Sequence, residues 1–578
     1  LVGARGGASG AGRVYLIYGS GSLPASVNLS AVGGSLPGVV LTGGVAGDNA
    51  GWSVAGAGDV NNDGFDDILI GAPMADALKG RAYLVYGGPA LPSSISLGSL
   101  GAAGVTFLGV SQGDQAGFSV AGAGSVDGDA FDDILIGARL ADPLGRIDAG
   151  QTYLVHGGAS LPSVIQLPSS GVPGIDVFNG GAAGDMSGFS IDGAGDVNGD
   201  GQPDILIGAR HADPGGNTNA GRACVVYGLP ASTTDLGTLG AGGVCIDGCA
   251  AGDVLGFDVT GGADVNGDGF ADPIVAARLA DPNGNIDSGE TYILFGRAGL
   301  PASIVACNIG CDGVRLQGAG PGDQSGFSVA AVSDLNQDGF DDVLVGAPFA
   351  APTGLTWQGE SYLVHGSPGL QPIVSLGALG FGGSKFRGSA TNELSGYEVA
   401  EAGDVNGDGI PDLLIGGWLS SPAGRAYVVF GSAFSGGSVT SYGTGCPGTG
   451  GITPVLGVSG GDPVVGDHAT HIWMTGLVSS SFGFLVWGNA SANFPLPGPC
   501  AAPVPGGCTL LIDPGAVVFF LREVGVTGAC GRIYSPHPIP NTPSIAGAEI
   551  FVQGGAFDTQ GTFCLASLTN ALDIVIGP

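Results

Sequence analysis

The sequence predicts an all-β protein in which a repeated four-stranded unit forms the blades of a β-propeller, followed by a separate β-sandwich. Three observations predict it. An acidic loop recurs at Asp59, Ser125, Asp196, Asp264, Asp334 and Asp404, at separations of 66, 71, 68, 70 and 70 residues, a period that suits a four-stranded blade with generous loops. Between the loops lie short β-branched runs punctuated by Gly and Pro, the signature of strands and tight turns. Nowhere does an apolar pattern of helical period persist.

Composition bounds the function. The chain has 578 residues, 16 Lys+Arg against 50 Asp+Glu, and a formal net charge of −34. It is 44% hydrophobic despite 116 Gly and 36 Pro, too apolar for disorder, so the glycines serve turns between buried strands. Two Lys (Lys79, Lys385) and no basic stripe argue against nucleic acid as a partner. No apolar run approaches the roughly 18 residues of a membrane span.

Within the first complete copy, Ala46–Gly87 and onward, strands are expected at Trp52–Ala57, Asp67–Gly71, Ala82–Tyr86 and Val105–Leu108. The opening stretch matches only the second half of a copy: LVGA answers ILIGA, VYLIYG answers AYLVYG, and Val39–Gly43 would be its fourth strand. That blade lacks its first strand and acidic loop, while the sixth loop-bearing copy ends at Gly431 after its third strand. Closing the ring needs a strand from upstream residues, from the linker Ser432–Ser441, or from a neighbouring molecule. The propeller is assigned to residues 1–435, a linker to 436–441, and a β-sandwich to 442–578, where composition shifts at Tyr442. Strands of that second domain are expected at Ile472–Gly476, Phe482–Trp487, Thr509–Asp513, Val517–Leu521, Glu549–Gln553 and Leu572–Ile576.

The loops read D-x-N-x-D-G-x-x-D. Oxygen-bearing side chains at positions one, three, five and nine, with the carbonyl of position seven, can converge on one hard cation, and their number and charge favour calcium. The candidate ligands are Asp59, Asn61, Asp63, Phe65 and Asp67; Ser125, Asp127, Asp129, Phe131 and Asp133; Asp196, Asn198, Asp200, Gln202 and Asp204; Asp264, Asn266, Asp268, Phe270 and Asp272; Asp334, Asn336, Asp338, Phe340 and Asp342; and Asp404, Asn406, Asp408, Ile410 and Asp412. An isolated acidic turn would be ordinary, since Asp, Asn and Gly favour turns; six at one place in a period are not. About six Ca²⁺ sites are expected. The second loop has Ser125 for its first Asp and Ala130 for its Gly, which makes it the weakest.

The period, the loop DVNGDG and the following GAP (Gly71–Pro73, Gly346–Pro348) resemble the FG-GAP repeats of integrin α-subunit propellers and their bacterial exported relatives. The resemblance implies a seven-bladed propeller with calcium on loops at one rim. In this chain the family's Phe-Gly is Ala50-Gly51, Ala116-Gly117, Ser187-Gly188, Leu255-Gly256, Ser325-Gly326 and Ser395-Gly396, with an aromatic following each Gly. That aromatic is expected to be the displaced core filler, because a two-residue shift keeps a side chain on the same strand face. No insertion interrupts the repeats, so an integrin-style heterodimer is not implied. Residues 442–578 resemble a C-terminal domain of exported bacterial proteins.

Ten Cys are present, and Cys245/Cys249 and Cys307/Cys311 are spaced to close small local disulfide loops, which indicates an oxidising compartment. The expected location is extracellular or on the cell surface, with any signal peptide outside this sequence. Asn28–Ser30 and Asn489–Ser491 match the N-glycosylation pattern. Two G-x-S-x-G stretches, Gly109–Gly113 and Gly457–Gly461, sit on no strand–helix elbow and are chance in a Gly-rich chain. Asp467, His468 and His471 read as a hydrated loop, His156 and His365 as strand residues, and Asp142, Asp213 and Asp281 as Asp-Pro turns. No nucleophile–base pair emerges, and no enzyme is expected. The function read from sequence is a calcium-stabilised binding or adhesion module for an extracellular protein or glycan. A structural subunit joined into filaments by inter-chain strand pairing is the alternative, and an enzyme acting on glycans or phospholipids the third reading.

Overall fold

The computed structural model describes residues 1–431, apart from 229–231, 381 and 420–423, and beyond them the backbone of the strands lying between 438 and 575. Seven sheets follow one another in chain order as the blades of a propeller. Blade 2 shows the plan. Its strands Val54–Gly58, Asp67–Ala72, Arg81–Val85 and Gly104–Leu108 pair antiparallel in sequence order, from the axis outward. Blade 3 opens with Ala116–Gly124, blade 4 with Ser187–Gly195, blade 5 with Asp258–Thr260, blade 6 with Ser328–Val332 and blade 7 with Ser395–Gly403. The four strand positions expected for blade 2 are met to within two residues at each end.

A fifth strand in several blades was not foreseen. Ser94–Ser96, which follows the third strand of blade 2, runs parallel to the outer strand of blade 1, Gly38–Thr42. Val164–Gln166, Thr233–Asp235, Ser303–Val305 and Ile373–Ser375 repeat that reach onto the preceding blade. Each covers an edge that would otherwise stay open.

The core lies between the blades. Leu69, Leu84 and Phe107 of blade 2 are fully buried against Val120, Ile134, Ile136 and Tyr153 of blade 3, each worth about 1.5–3 kcal/mol in transfer. Every residue of the second strand Asp67–Ala72 is buried, as in Asp133–Ala138, Asp204–Ala209 and Asp342–Ala347. Such closeness needs bare backbone. Gly80 has φ +83°, and a Cβ there would fall 2.1 Å from the carbonyl oxygen of Ala116 in the next blade.

Blades 1 and 7 are both short. Blade 1 comprises Val2–Ala4, Arg13–Ile17 and Gly38–Thr42, with no axial strand among the described residues. A cavity of about 600 Å³ lies where blades 1 and 2 meet, lined by Leu1, Leu16 and Tyr18 on one side and Gly56 and Ile68 on the other. Blade 7 has Ser395–Gly403, Asp412–Gly417 and Arg425–Val429, and no described residue pairs with the outer edge of the last. Ser438–Tyr442, within the stretch read as a possible closing strand, pairs instead with Ala571–Val575. Phe482–Gly488 and Glu549–Phe557 join that same sheet; the expected strand Val517–Leu521 lies outside the described residues.

The local disulfide loops are not formed. Cys224 and Cys245 stand directly opposite on adjacent antiparallel strands of blade 4 and are bonded to each other, and Cys249 is bonded to Cys307. Cross-strand opposition brings Cys224 within reach of Cys245, and Cys249 then closes across 58 residues. The side chain of Cys311 lies outside the described residues.

Candidate functional site

The acidic loops join the axial strand of each blade to its second strand, so all six lie at the same end of the propeller. Their backbone is wound around the first carboxylate. Asp59 accepts the N–H groups of Asp63 at 2.9 Å and Gly64 at 2.8 Å. Asp196, Asp264, Asp334 and Asp404 accept the equivalent pair in their loops. The Asn at position three accepts the N–H of position five in four loops (Asn61, Asn198, Asn336, Asn406). The Asp at position five accepts the N–H of position seven, as Asp63 does from Phe65.

The Asp at position nine has a further task. Asp67 is buried; its Oδ2 accepts the N–H of Val60 and its Oδ1 that of Gly87, at the end of the third strand. Asp133, Asp204, Asp272 and Asp412 repeat both bonds. Each carboxylate oxygen retains a second lone pair for a cation. The position-seven side chain leans on the neighbouring loop: Phe270 packs over Gly199, and Phe340 over Gly267. At Gly199 φ is +77° and a Cβ would lie 2.3 Å from the Phe270 ring, so both backbone and space demand glycine.

The carboxyl groups crowd one another. Burial, reinforced by the charges of Asp63 and Asp59, pushes Asp67 up to about 6. Burial with Asp200 and Asp196 takes Asp204 to about 7, and with Asp268 and Asp264 takes Asp272 to about 8. Asp338 is raised to about 7 by burial, with Asp342 and Asp334 adding to it. Clustered carboxylates, an amide oxygen and free lone pairs are the donor chemistry of a hard divalent cation.

The second loop is built differently. Ser125 donates its hydroxyl to the carbonyl of Asp129, and no first carboxylate is present. His156, expected only as a strand residue, reaches into the loop. Its Nε2 lies 2.9 Å from Asp176, and its Nδ1 lies 3.4 Å from Asp127 and 3.7 Å from Asp133. The nearby carboxylate of Asp133, with Asp176 assisting, raises its pKa to about 9, so a protonated imidazole sits among these carboxylates at neutral pH. Asp127, Asp133 and His156 are the one described group of three such side chains with ligand atoms mutually within 4.8 Å. His365 likewise faces Asp342 at 3.3 Å; burial opposes its charge, but Asp342 prevails and its pKa is raised.

The opposite end of the axis carries an aromatic ring. Trp52, Phe118, Phe189, Phe257, Phe327 and Tyr397 follow the inter-blade glycines and are half-buried rather than core fillers. Their centroids step round the axis at 5.4, 5.0, 5.2, 5.2 and 4.6 Å, and Trp418 continues from Tyr397 at 4.7 Å. The guanidinium of Arg5 stands over both Trp52 (4.1 Å) and Trp418 (5.2 Å), bridging the place where blade 1 has no aromatic.

Between the two ends, short polar side chains lace the axial strands. Ser53 accepts the N–H of Val120, Ser190 that of Val259, Asp258 that of Val329 and Ser328 that of Val399. Burial pushes Asp192 up to about 7, with Asp258 adding repulsion, and Asp258 itself to about 6; Glu398 is exposed on its strand.

The remaining sequence candidates resolve simply. Asp142, Asp213 and Asp281 each accept a backbone N–H six residues on, from Asp148, Asn219 and Asp287, as turn formers. Asn28 accepts from the N–H of Ser30 at a short helical turn. The side chains of Asp467, His468, His471, Asn489 and Gly457–Gly461 lie outside the described residues.

Seven blades joined by Gly-bearing inter-blade crossings, with an acidic loop after the axial strand in six of them, define a seven-bladed β-propeller. The FG-GAP repeat family matches residues 50–86, 187–226 and 325–364, in blades 2, 4 and 6. Integrin alpha pat-2 of Caenorhabditis briggsae is 31% identical over 249 residues, taking in 41% of this chain and 18% of that protein. Integrin alpha-7 of Rattus norvegicus is 34% identical over 161 residues, 28% of this chain and 12% of that one. Phosphatidylinositol-glycan-specific phospholipase D of Bos taurus is 33% identical over 192 residues, 32% of this chain and 21% of that one. The chain thus spans about a fifth or less of the length of these curated relatives. No described helix is long and apolar enough to cross a membrane.

Proposed function

We propose that this chain is an extracellular binding or adhesion module whose propeller, residues 1–435, is stabilised by calcium on its acidic loops. The observation that carries the calcium reading is the crowding of carboxyl groups within one repeated hydrogen-bonded frame, which raises Asp67, Asp204, Asp272 and Asp338 together. Positions one, three, five, seven and nine of each loop would hold the ion. The ion would neutralise the repulsion and clamp the corner between first and second strands. Six such ions would take the formal charge from −34 to −22. Two disulfides support an oxidising location, and the integrin α relatives support a binding role over a catalytic one. The phospholipase relatives are matched over about a fifth of their length, and no catalysis is carried across on that basis.

The test is a thermal melt of the full chain with calcium and with EDTA, alongside a count of bound calcium per chain. A lower melting temperature in EDTA and close to six bound ions are expected; an unchanged melt would sink the reading.

A second reading, self-assembly by strand pairing, is favoured by one observation. The last strand of blade 7, Arg425–Val429, has an unpaired outer edge among the described residues, with Val428 and Phe430 exposed beside it. Such an edge is a template for another chain. Concentration-dependent assembly in light scattering would support it, and a monomer at every concentration would remove it.

A further inference from the structure

The geometry points to an oxyanion-binding site at the aromatic end of the axis, where Arg5, Arg139, Arg210 and Arg278 converge to hold a sulfate, phosphate or carboxylate group. The site lies at the other end of the axial strands from the acidic loops, so it is independent of the calcium reading, although it rests on the reading of the chain as a binding module.

The residue that follows each second strand is Pro73 and Pro348 in blades 2 and 6 and Trp418 in blade 7, but Arg5, Arg139, Arg210 and Arg278 in blades 1, 3, 4 and 5. Each of these arginines stands over the aromatic ring. Arg139 is 3.7 Å from the centroid of Phe118 and 5.5 Å from Phe189; Arg210 is 4.0 Å from Phe189 and 5.6 Å from Phe257; Arg278 is 4.2 Å from Phe257 and 5.2 Å from Phe327. A quarter of the 16 Lys+Arg of a chain with charge −34 is therefore gathered on one small ring.

Among the described residues none of the four is in an ion pair, whereas Arg81, Arg146, Arg222, Arg297, Arg315 and Arg387 each hold a carboxylate. The partners of the ring arginines are neutral. Arg139 donates to Gln115 at 2.8 Å, Arg278 to Gln324, and Arg210 only to the sulfur of Met186 at 4.0 Å. The Nε atoms of Arg210 and Arg278 are buried with no acceptor among the described residues. Burial lowers Arg139 to about 10, and burial with the nearby charges of Arg139 and Arg278 does the same to Arg210.

Stacking on an aromatic face recovers only part of the cost of taking a guanidinium out of water, and the repulsion among neighbours adds to that cost. An oxyanion accepts from several guanidinium N–H groups at once and offsets both. The ring fixes the arginines in place, and the neutral glutamines orient two of them without cancelling their charge.

The test is calorimetric titration of the full chain, in calcium and separately in EDTA at a temperature below the melt, with sodium sulfate, inorganic phosphate and dextran sulfate against sodium chloride at matched ionic strength. Saturable binding of sulfate or phosphate is expected. It should weaken roughly tenfold or more in R139Q/R210Q, the loss expected for charge-assisted hydrogen bonds, and stay unchanged in R222Q, whose arginine pairs with Asp247 away from the ring. Binding of dextran sulfate alone, lost in the same variant, would assign the oxyanion to a polymer. Should R139Q/R210Q fail to fold, tryptophan fluorescence of the unaltered protein decides, because Trp52 and Trp418 flank Arg5: a change with sulfate and not with chloride is expected. Absence of that change, no binding by the unaltered chain, or equal binding by R139Q/R210Q overturns the site.

Discussion

The carboxylate of Asp132 accepts a hydrogen bond of 2.8 Å from the backbone N–H of Asp59, 73 residues earlier in the chain and in the neighbouring blade. Asp341 does the same for Asp264. Position eight of an acidic loop, idle in any single-loop picture of the metal site, thus ties adjacent loops together. Asp66 holds that position in blade 2, where its side chain makes no such bond among the described residues. Asp132→Ala and Asp341→Ala should each cost about 1–2 kcal/mol, the value of a charge-assisted bond to backbone, while Asp66→Ala should be near neutral. Urea midpoints of the three variants in calcium check this.

Calcium removal should lower the melting temperature and expose blade loops to protease. A site filled to 100 times its dissociation constant adds roughly 2.7 kcal/mol. Asp196→Ala should cost more than Asp127→Ala, because the second loop already lacks its first carboxylate and carries the charged His156. Equal losses in calcium would remove that ranking.

Non-reducing peptide mapping should recover Cys224 linked to Cys245 and Cys249 linked to Cys307. By loop-closure entropy the second link, spanning 58 residues, is worth roughly 4 kcal/mol. Cys249→Ser should therefore lower the midpoint more than any single loop variant. Recovery of Cys245 linked to Cys249 would contradict the register of blade 4.

The axial carboxyls give a pH dependence of known sign. Asp192 is raised to about 7 by burial, with Asp258 adding repulsion. A carboxyl whose pKa is higher folded than unfolded favours the folded state most below the unfolded value, near 4, and that preference is lost as pH rises through the folded value. Stability should fall between about pH 4 and 7. Asp192→Asn should leave the melting temperature near pH 4 almost unchanged, raise it at pH 8 and flatten the curve between. A variant curve parallel to that of the unaltered protein would show that Asp192 does not carry the effect.

The blade plan was legible in the sequence because it is written locally: the period, the alternation and the loop pattern all lie within one repeat. The headless first blade was legible for the same reason. What escaped is relational. The aromatic after each inter-blade Gly reads as a core filler, since strand alternation assigns it a face but not a distance from the axis. His156 enters an acidic loop from a position 23 residues after Asp133, and Cys224 meets Cys245 through sheet register. The arginines were visible as departures from Gly-Ala-Pro, yet their convergence depends on four blades meeting at one ring.

Arg5 has a mechanical consequence. Every joint from blade 2 to blade 7 is flanked by axial strands on both sides, but the joint between blades 7 and 1 is not. Among the described residues it is held by the N–H of Ser20 on the carbonyl of Val405, at 2.8 Å, and by Arg5 standing between Trp52 and Trp418. Among the described residues, pulling the first and last blades apart therefore loads that hydrogen bond and the Arg5 guanidinium with its indoles before it reaches any core.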